Sequence, residues 1–158
     1  MVFSATTRGI PQFFYGSEVL AASPKERDDG AVRSDMLGGW AGDKVNVFTG
    51  KGLNVQQVDA QQFVKTLLNW RKTSEPIKTG KLMHFVPEKS TYVYVRYTDS
   101  KRVLVIINKN AKDIQLDLAR YQIALNGKAS GKNILTSAPV DLTKPLNLNA
   151  MTPVIIEL

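Results

Sequence analysis

The run Ile10–Tyr15, short, aromatic and closed by Gly9 and Gly16, constrains this chain more than any other feature. A brief apolar stretch between breakers reads as a strand buried on both faces, as in a parallel sheet. Pro11 near its start argues against a central antiparallel strand, because proline has no N–H for a ladder. The next segment is equally restrictive. Residues 17–58 show no sustained periodicity and are punctuated by Gly30, Gly38, Gly39, Gly42, Gly50 and Gly52. A loop this long in a compact domain is usually functional.

The remaining elements are ordinary. Met1–Thr7 reads as the last turn or two of a helix. A helix is expected from Asp59, with Ala60, Phe63, Val64, Leu67 and Leu68 along one apolar stripe. Asp59 and Gln62 have capping-box spacing, Arg71 and Lys72 complement the helix C-terminus, and Pro76 closes the element. From Lys81 onward the pattern changes to short alternating runs. Tyr92–Tyr97 and Val103–Ile107 flank Thr98-Asp99-Ser100-Lys101 as a hairpin, and Ile114–Leu118, Ile134-Leu135, Leu146–Leu148 and Val154–Leu158 add further strands. We therefore expect an α+β chain with two domains, residues 1–80 and 81–158, the second an all-β antiparallel sandwich.

Charge and composition exclude several classes. Residues 1–58 carry six Lys/Arg against six Asp/Glu, so the net +7 arises from residues 59–158, with 15 against 8. Those lysines are dispersed rather than clustered, which reads as a solvated face; no nucleic-acid partner is expected. No apolar run reaches the roughly 20 residues of a membrane helix. Cysteine is absent, which removes disulfides, thiol catalysis and thiolate zinc sites. No metal or cofactor is expected. Met1–Thr7 lacks a basic start ahead of a long apolar stretch, so no secretory leader is read there, and the compartment stays open.

Arg8-Gly9-Ile10-Pro11 with Tyr15-Gly16-Ser17-Glu18 resembles the last-strand signature of the α-amylase superfamily of glycoside hydrolases. Asp29-Gly30, Arg33-Ser34-Asp35 and Gly38-Gly39-Trp40 are similar to the following loop of bacterial neopullulanases and cyclomaltodextrinases, although Met36-Leu37 replaces the expected Phe-Pro. The resemblance implies a fragment: the last strand, loop and helix of a (β/α)8 barrel followed by a β-sandwich C-terminal domain. It implies a parent enzyme, periplasmic or cytoplasmic in a bacterium, that cleaves α-1,4-glucosidic bonds of α-glucans or maltooligosaccharides with retention. That chemistry needs two carboxyl groups about 5–5.5 Å apart. The family carries them on earlier barrel strands, and its His-Asp motif has no counterpart here, since the single histidine is His84, expected at a domain interface. No catalytic residue is therefore assigned, and the chain alone is expected to be inactive.

Candidate substrate-contact or loop-supporting residues are Tyr15, Glu18, Arg33, Asp35 and Trp40. Flat aromatic faces suit the apolar face of a pyranose, which nominates Tyr15 and Trp40, although each also serves simply as a packing residue. Glu18 and Arg33 are expected to form a bidentate ion pair that holds the loop. Two competing readings are a free-standing carbohydrate-binding module using Tyr92, Tyr94 and Tyr97, and a small enzyme drawing on the loop acids Glu26, Asp28, Asp29 and Asp35. A barrel strand without neighbours has open edges. Residues 1–58 are therefore expected to be poorly ordered, self-associated or re-paired, with residues 86–158 folding independently.

Overall fold

A computed structural model describes residues 1–22 and 29–158. Glu26 and Asp28 lie outside the described residues. The chain divides into two compact units, one formed by Met1–Pro11 with Thr66–Leu158 and the other by Gln12–Lys65.

The first unit is built on an antiparallel sheet. Its strands are β1 (Lys81–His84), β2 (Thr91–Tyr97), β3 (Arg102–Asn108), β5 (Ser130–Asn133), β6 (Pro139–Asp141) and β8 (Val154–Glu157), in the order β1-β2-β3-β8-β5-β6. A two-stranded sheet pairs β4 (Ile114–Leu116) with β7 (Leu146–Leu148). The expected hairpin is formed, with Tyr94 opposite Val105 and the turn closed by Thr98 and Lys101. Alternation sends Val93, Val95, Leu104, Ile106 and Ile156 to one face. There they join Leu146 and Leu148 of the small sheet in a sandwich core. The expected strand at 114–118 is shorter. Leu118 instead leads a 3-10 turn, Ala119–Tyr121, and a short helix α5, Gln122–Leu125, which place Tyr121, Ala124 and Leu125 in that core.

The opposite face of the large sheet is buried too. It carries Tyr94, Arg96, Val103, Val105 and Ile155, all essentially solvent-free. A short helix α1 (Val2–Thr6), the end of the long helix α3 (Val55–Thr73) and helix α4 (Glu75–Thr79) belong to the same unit. Pro76 does not merely stop α3. It sits in the first turn of α4, where its missing N–H costs nothing. Ser74 occupies the N-cap position of α4, yet its buried hydroxyl has no hydrogen-bond partner. Trp70 Nε1 donates to Glu157 Oε1 at 2.7 Å, joining α3 to β8.

Ile134-Leu135, expected as a strand, instead forms the turn after β5. Two further expectations fail here for identifiable reasons. Residues 10–15 form no strand, and Ile10 is 97% exposed. A parallel strand exists only through ladders to its neighbours, and none of the described strands pairs with this segment. The long helix also begins earlier than Asp59. Asn54 Oδ1 accepts the Gln57 amide at 2.9 Å and Gln57 Oε1 accepts the Asn54 amide at 3.1 Å. This reciprocal box starts α3 four residues sooner and leaves Asp59 and Gln62 on the helix body.

Candidate functional site

The second unit contains the long loop, and its polar side chains organise it. Gly16 takes a left-handed conformation and starts a 3-10 turn, Ser17–Val19. Tyr15 precedes it and is 45% exposed, with its ring 4.4 Å from that of Phe14. Its hydroxyl donates toward the carbonyls of Arg33 at 3.0 Å and Ser34 at 3.2 Å. These bonds tie the start of the unit to residues just after the short helix α2, Asp29–Val32. Tyr15 and Asp35 line one cavity of about 190 Å³, together with Met36, Val47, Leu53 and Gln57. Asp35 supplies the single carboxylate among the described residues of that lining.

A second layer of order comes from residues that sequence patterning did not single out. Asp43 accepts the Gly38 amide at 2.6 Å and the Trp40 amide at 3.1 Å, closing the turn that carries Trp40. Asn46 donates to the Gly38 carbonyl at 3.2 Å and accepts the amides of Phe48 and Thr49 at 3.0 and 2.9 Å. Gly38 is required between them. Its φ is +105°, and a Cβ there would lie 2.6 and 2.7 Å from the Asn46 side chain and Cα. Val47 is anchored from both sides: its amide donates to the Leu37 carbonyl and its carbonyl accepts from Gln61 of α3. Asp and Asn within a glycine-rich stretch are the usual signal for such side-chain-closed turns.

The candidate residues separate accordingly. Tyr15, Arg33 and Asp35 come together, Arg33 through its backbone. The expected Glu18–Arg33 ion pair is not formed. The Arg33 guanidinium instead approaches Asp29 Oδ2 at 3.5 Å, one helical turn away and well exposed. Four-residue spacing across the end of α2 favours that local partner over a residue fifteen positions earlier. Glu18 lines a different hollow, with Phe48, Gln61 and Lys65 among its walls. Trp40 projects from its turn 68% exposed and borders neither hollow.

The tyrosines of β2 offer no flat platform for a sugar. Tyr94 is fully buried with its hydroxyl against Thr6 Oγ1, and Tyr97 packs toward the core beneath Arg102. Tyr92 lies against Tyr94, Phe3 and His84. His84 itself is an exposed residue at the end of β1. Among the described residues no cluster of three or more His, Asp or Glu has the arrangement of a metal site, and no helix is long and apolar enough to cross a membrane.

Residues 82–157, spanning nearly all of β1 through β8, match the family described as the cyclo-malto-dextrinase C-terminal domain. Solved structures resemble a much longer stretch. AmyP in complex with maltose superposes with a TM-score of 0.70 at 16% identity, over 99% of this chain and 33% of that one. The trehalulose synthase MutB gives 0.71 at 17%, covering 99% and 37%. The α-amylase of Geobacillus thermoleovorans complexed with acarbose gives 0.66 at 15%, covering 99% and 31%. The chain thus spans about a third of each of these proteins, and at such identities the shared property is the fold.

Proposed function

From a chain whose residues 82–157 match the cyclo-malto-dextrinase C-terminal domain family and whose fold is shared with part of AmyP and MutB, we infer the C-terminal portion of an α-glucan hydrolase of the neopullulanase type. In this reading residues 1–80 end the catalytic barrel and residues 81–158 are the C-terminal β-domain. The parent cleaves α-1,4-glucosidic bonds with retention, and this chain by itself is inactive. The observation that carries the reading is the extent of the structural match, which takes in the loop and helices ahead of residue 82 as well as the β-domain.

The site chemistry supports the same division of labour. Retaining hydrolysis uses a nucleophile and an acid/base about 5–5.5 Å apart. Among the described residues, each of these two hollows of the second unit offers one carboxylate, Asp35 in one and Glu18 in the other. Tyr15, Asp35 and the Trp40 turn fit a supporting role, lining the approach of a maltooligosaccharide to carboxylates supplied elsewhere in the parent. The loop acid Asp29 is drawn to Arg33 rather than to a second carboxylate.

The reading is tested by the intact mass of the native product together with maltotriose hydrolysis by that product and by this chain. The expected result is a native protein about three times longer that releases maltose or glucose, while the 158-residue chain gives no turnover. A native mass of 17.5 kDa would overturn it, as would turnover by the chain alone.

A further inference from the structure

We propose that Met1–Gly9 forms a strap clamped onto the large sheet by Arg71 and Arg96, and that Arg96 couples the strap to the α4–β1 junction so that the two order together. The last carbonyls of α1 (Val2–Thr6), like those of any helix end, lack partners within the helix. Here the Ala5 and Thr6 carbonyls of α1, and the Gly9 carbonyl beyond it, have partners from far along the chain. Arg71 Nη1 binds the Ala5 carbonyl and its Nη2 binds the Gly9 carbonyl at 3.0 Å. Arg96 Nη1 binds the Thr6 carbonyl at 3.1 Å.

Arg96 makes the coupling. It is 2% exposed, and its other donors reach the Gly80 carbonyl at 2.8 Å and the Lys81 carbonyl at 3.3 Å. One guanidinium therefore spans two segments some seventy residues apart in sequence. A buried cation met only by main-chain oxygens is stable while all of them stay in place, since a charge stripped of partners is costly. Release of the strap would leave Arg96 under-satisfied and loosen its hold on residues 80–81. Thr6 and Tyr94 add a second contact, hydroxyl to hydroxyl, and Ala5 and Thr6 have no solvent exposure. Phe3 packs edge-on against Tyr94. Arg71 touches the strap but not the junction, which separates the two roles.

The proposal stands apart from the glucan reading, and its test has no activity readout. Amide hydrogen exchange is measured on the full chain and on Arg71→Gln and Arg96→Gln, following Ala5 and Thr7 in the strap and Gly80 at the junction. Arg71→Gln should speed exchange at Ala5 and Thr7 about tenfold or more while Gly80 keeps its rate. Arg96→Gln should speed all three. If Arg96→Gln does not fold, Arg96→Lys serves in its place, because an ammonium cannot reach three separated carbonyls at once. Unchanged strap exchange in Arg71→Gln would overturn the clamp. Faster strap exchange with an unchanged Gly80 in the Arg96 variant would overturn the coupling.

Discussion

Tyr15 donates its hydroxyl to the main-chain carbonyl of Arg33 at 3.0 Å, across eighteen residues of glycine-rich loop. The bond explains why two residues of one sequence motif and its adjoining loop meet without their side chains pairing. Tyr15→Phe should weaken the loop unit modestly, by about 0.5–1 kcal/mol, because the ring contact to Phe14 survives and the site is half open to water. Urea denaturation compared with amide exchange at Ser34 and Asp35 measures this. Identical exchange in the two proteins would show that the bond has no role in loop order.

Two adjacent glycines should behave very differently. Gly38→Ala forces a left-handed backbone on alanine and drives its Cβ into Asn46, so a loss of about 1–3 kcal/mol is expected. Gly39 has only the Met36 carbonyl near, at 3.9 Å, and Gly39→Ala should be close to neutral. Thermal melts of the two variants side by side settle the matter. Equal shifts would mean that the Asp43–Asn46 framework does not hold the turn.

The two helix starts on either side of Thr73 invite an opposite pair of substitutions. Asn54→Ala removes half of a reciprocal cap and should cost about 1 kcal/mol. Ser74→Ala removes a buried hydroxyl that makes no hydrogen bond and should be neutral or stabilising by up to about 1 kcal/mol. Denaturation midpoints give both values, and a destabilised Ser74→Ala would reveal a partner for that hydroxyl.

Burial pushes the Tyr94 phenol up to about 12, with its hydrogen bond to Thr6 pulling weakly the other way. The folded state therefore holds this proton where the unfolded chain, near 10, has released it. By linkage the associated stability is complete below pH 10 and falls as pH rises from 10 to about 12. Ultraviolet titration should show one of the five tyrosines ionising last, and Tyr94→Phe should remove that late step. A late step that persists in the variant belongs to another tyrosine.

Local pattern was legible wherever it was repeated. The 3.6-residue stripe from Ala60 to Leu68 announced α3, and period-two alternation announced the β2–β3 hairpin, because both signals come from a chain placing one face against an apolar neighbour. The exact helix start was less legible, since Asn54-Gln57 and Asp59-Gln62 carry equivalent capping patterns and only the course of the incoming chain selects one. The apolar run Ile10–Tyr15 misled for a related reason: a buried strand is defined by its partners, and composition does not supply them.

The candidate site divides along the same line. Tyr15, Arg33 and Asp35 were visible as residue types, but which groups they bond depends on the three-dimensional path of the loop. By itself the sequence determined the long helix, the β2–β3 hairpin, the strands β7 and β8, and the resemblance to one enzyme family. Tertiary structure alone decided that both faces of β2 are buried, that Arg96 lies among main-chain carbonyls rather than in solvent, and that Arg71 reaches back to Ala5. Alternation along a strand assigns a side chain to a face, whereas what covers that face is set by segments tens of residues away.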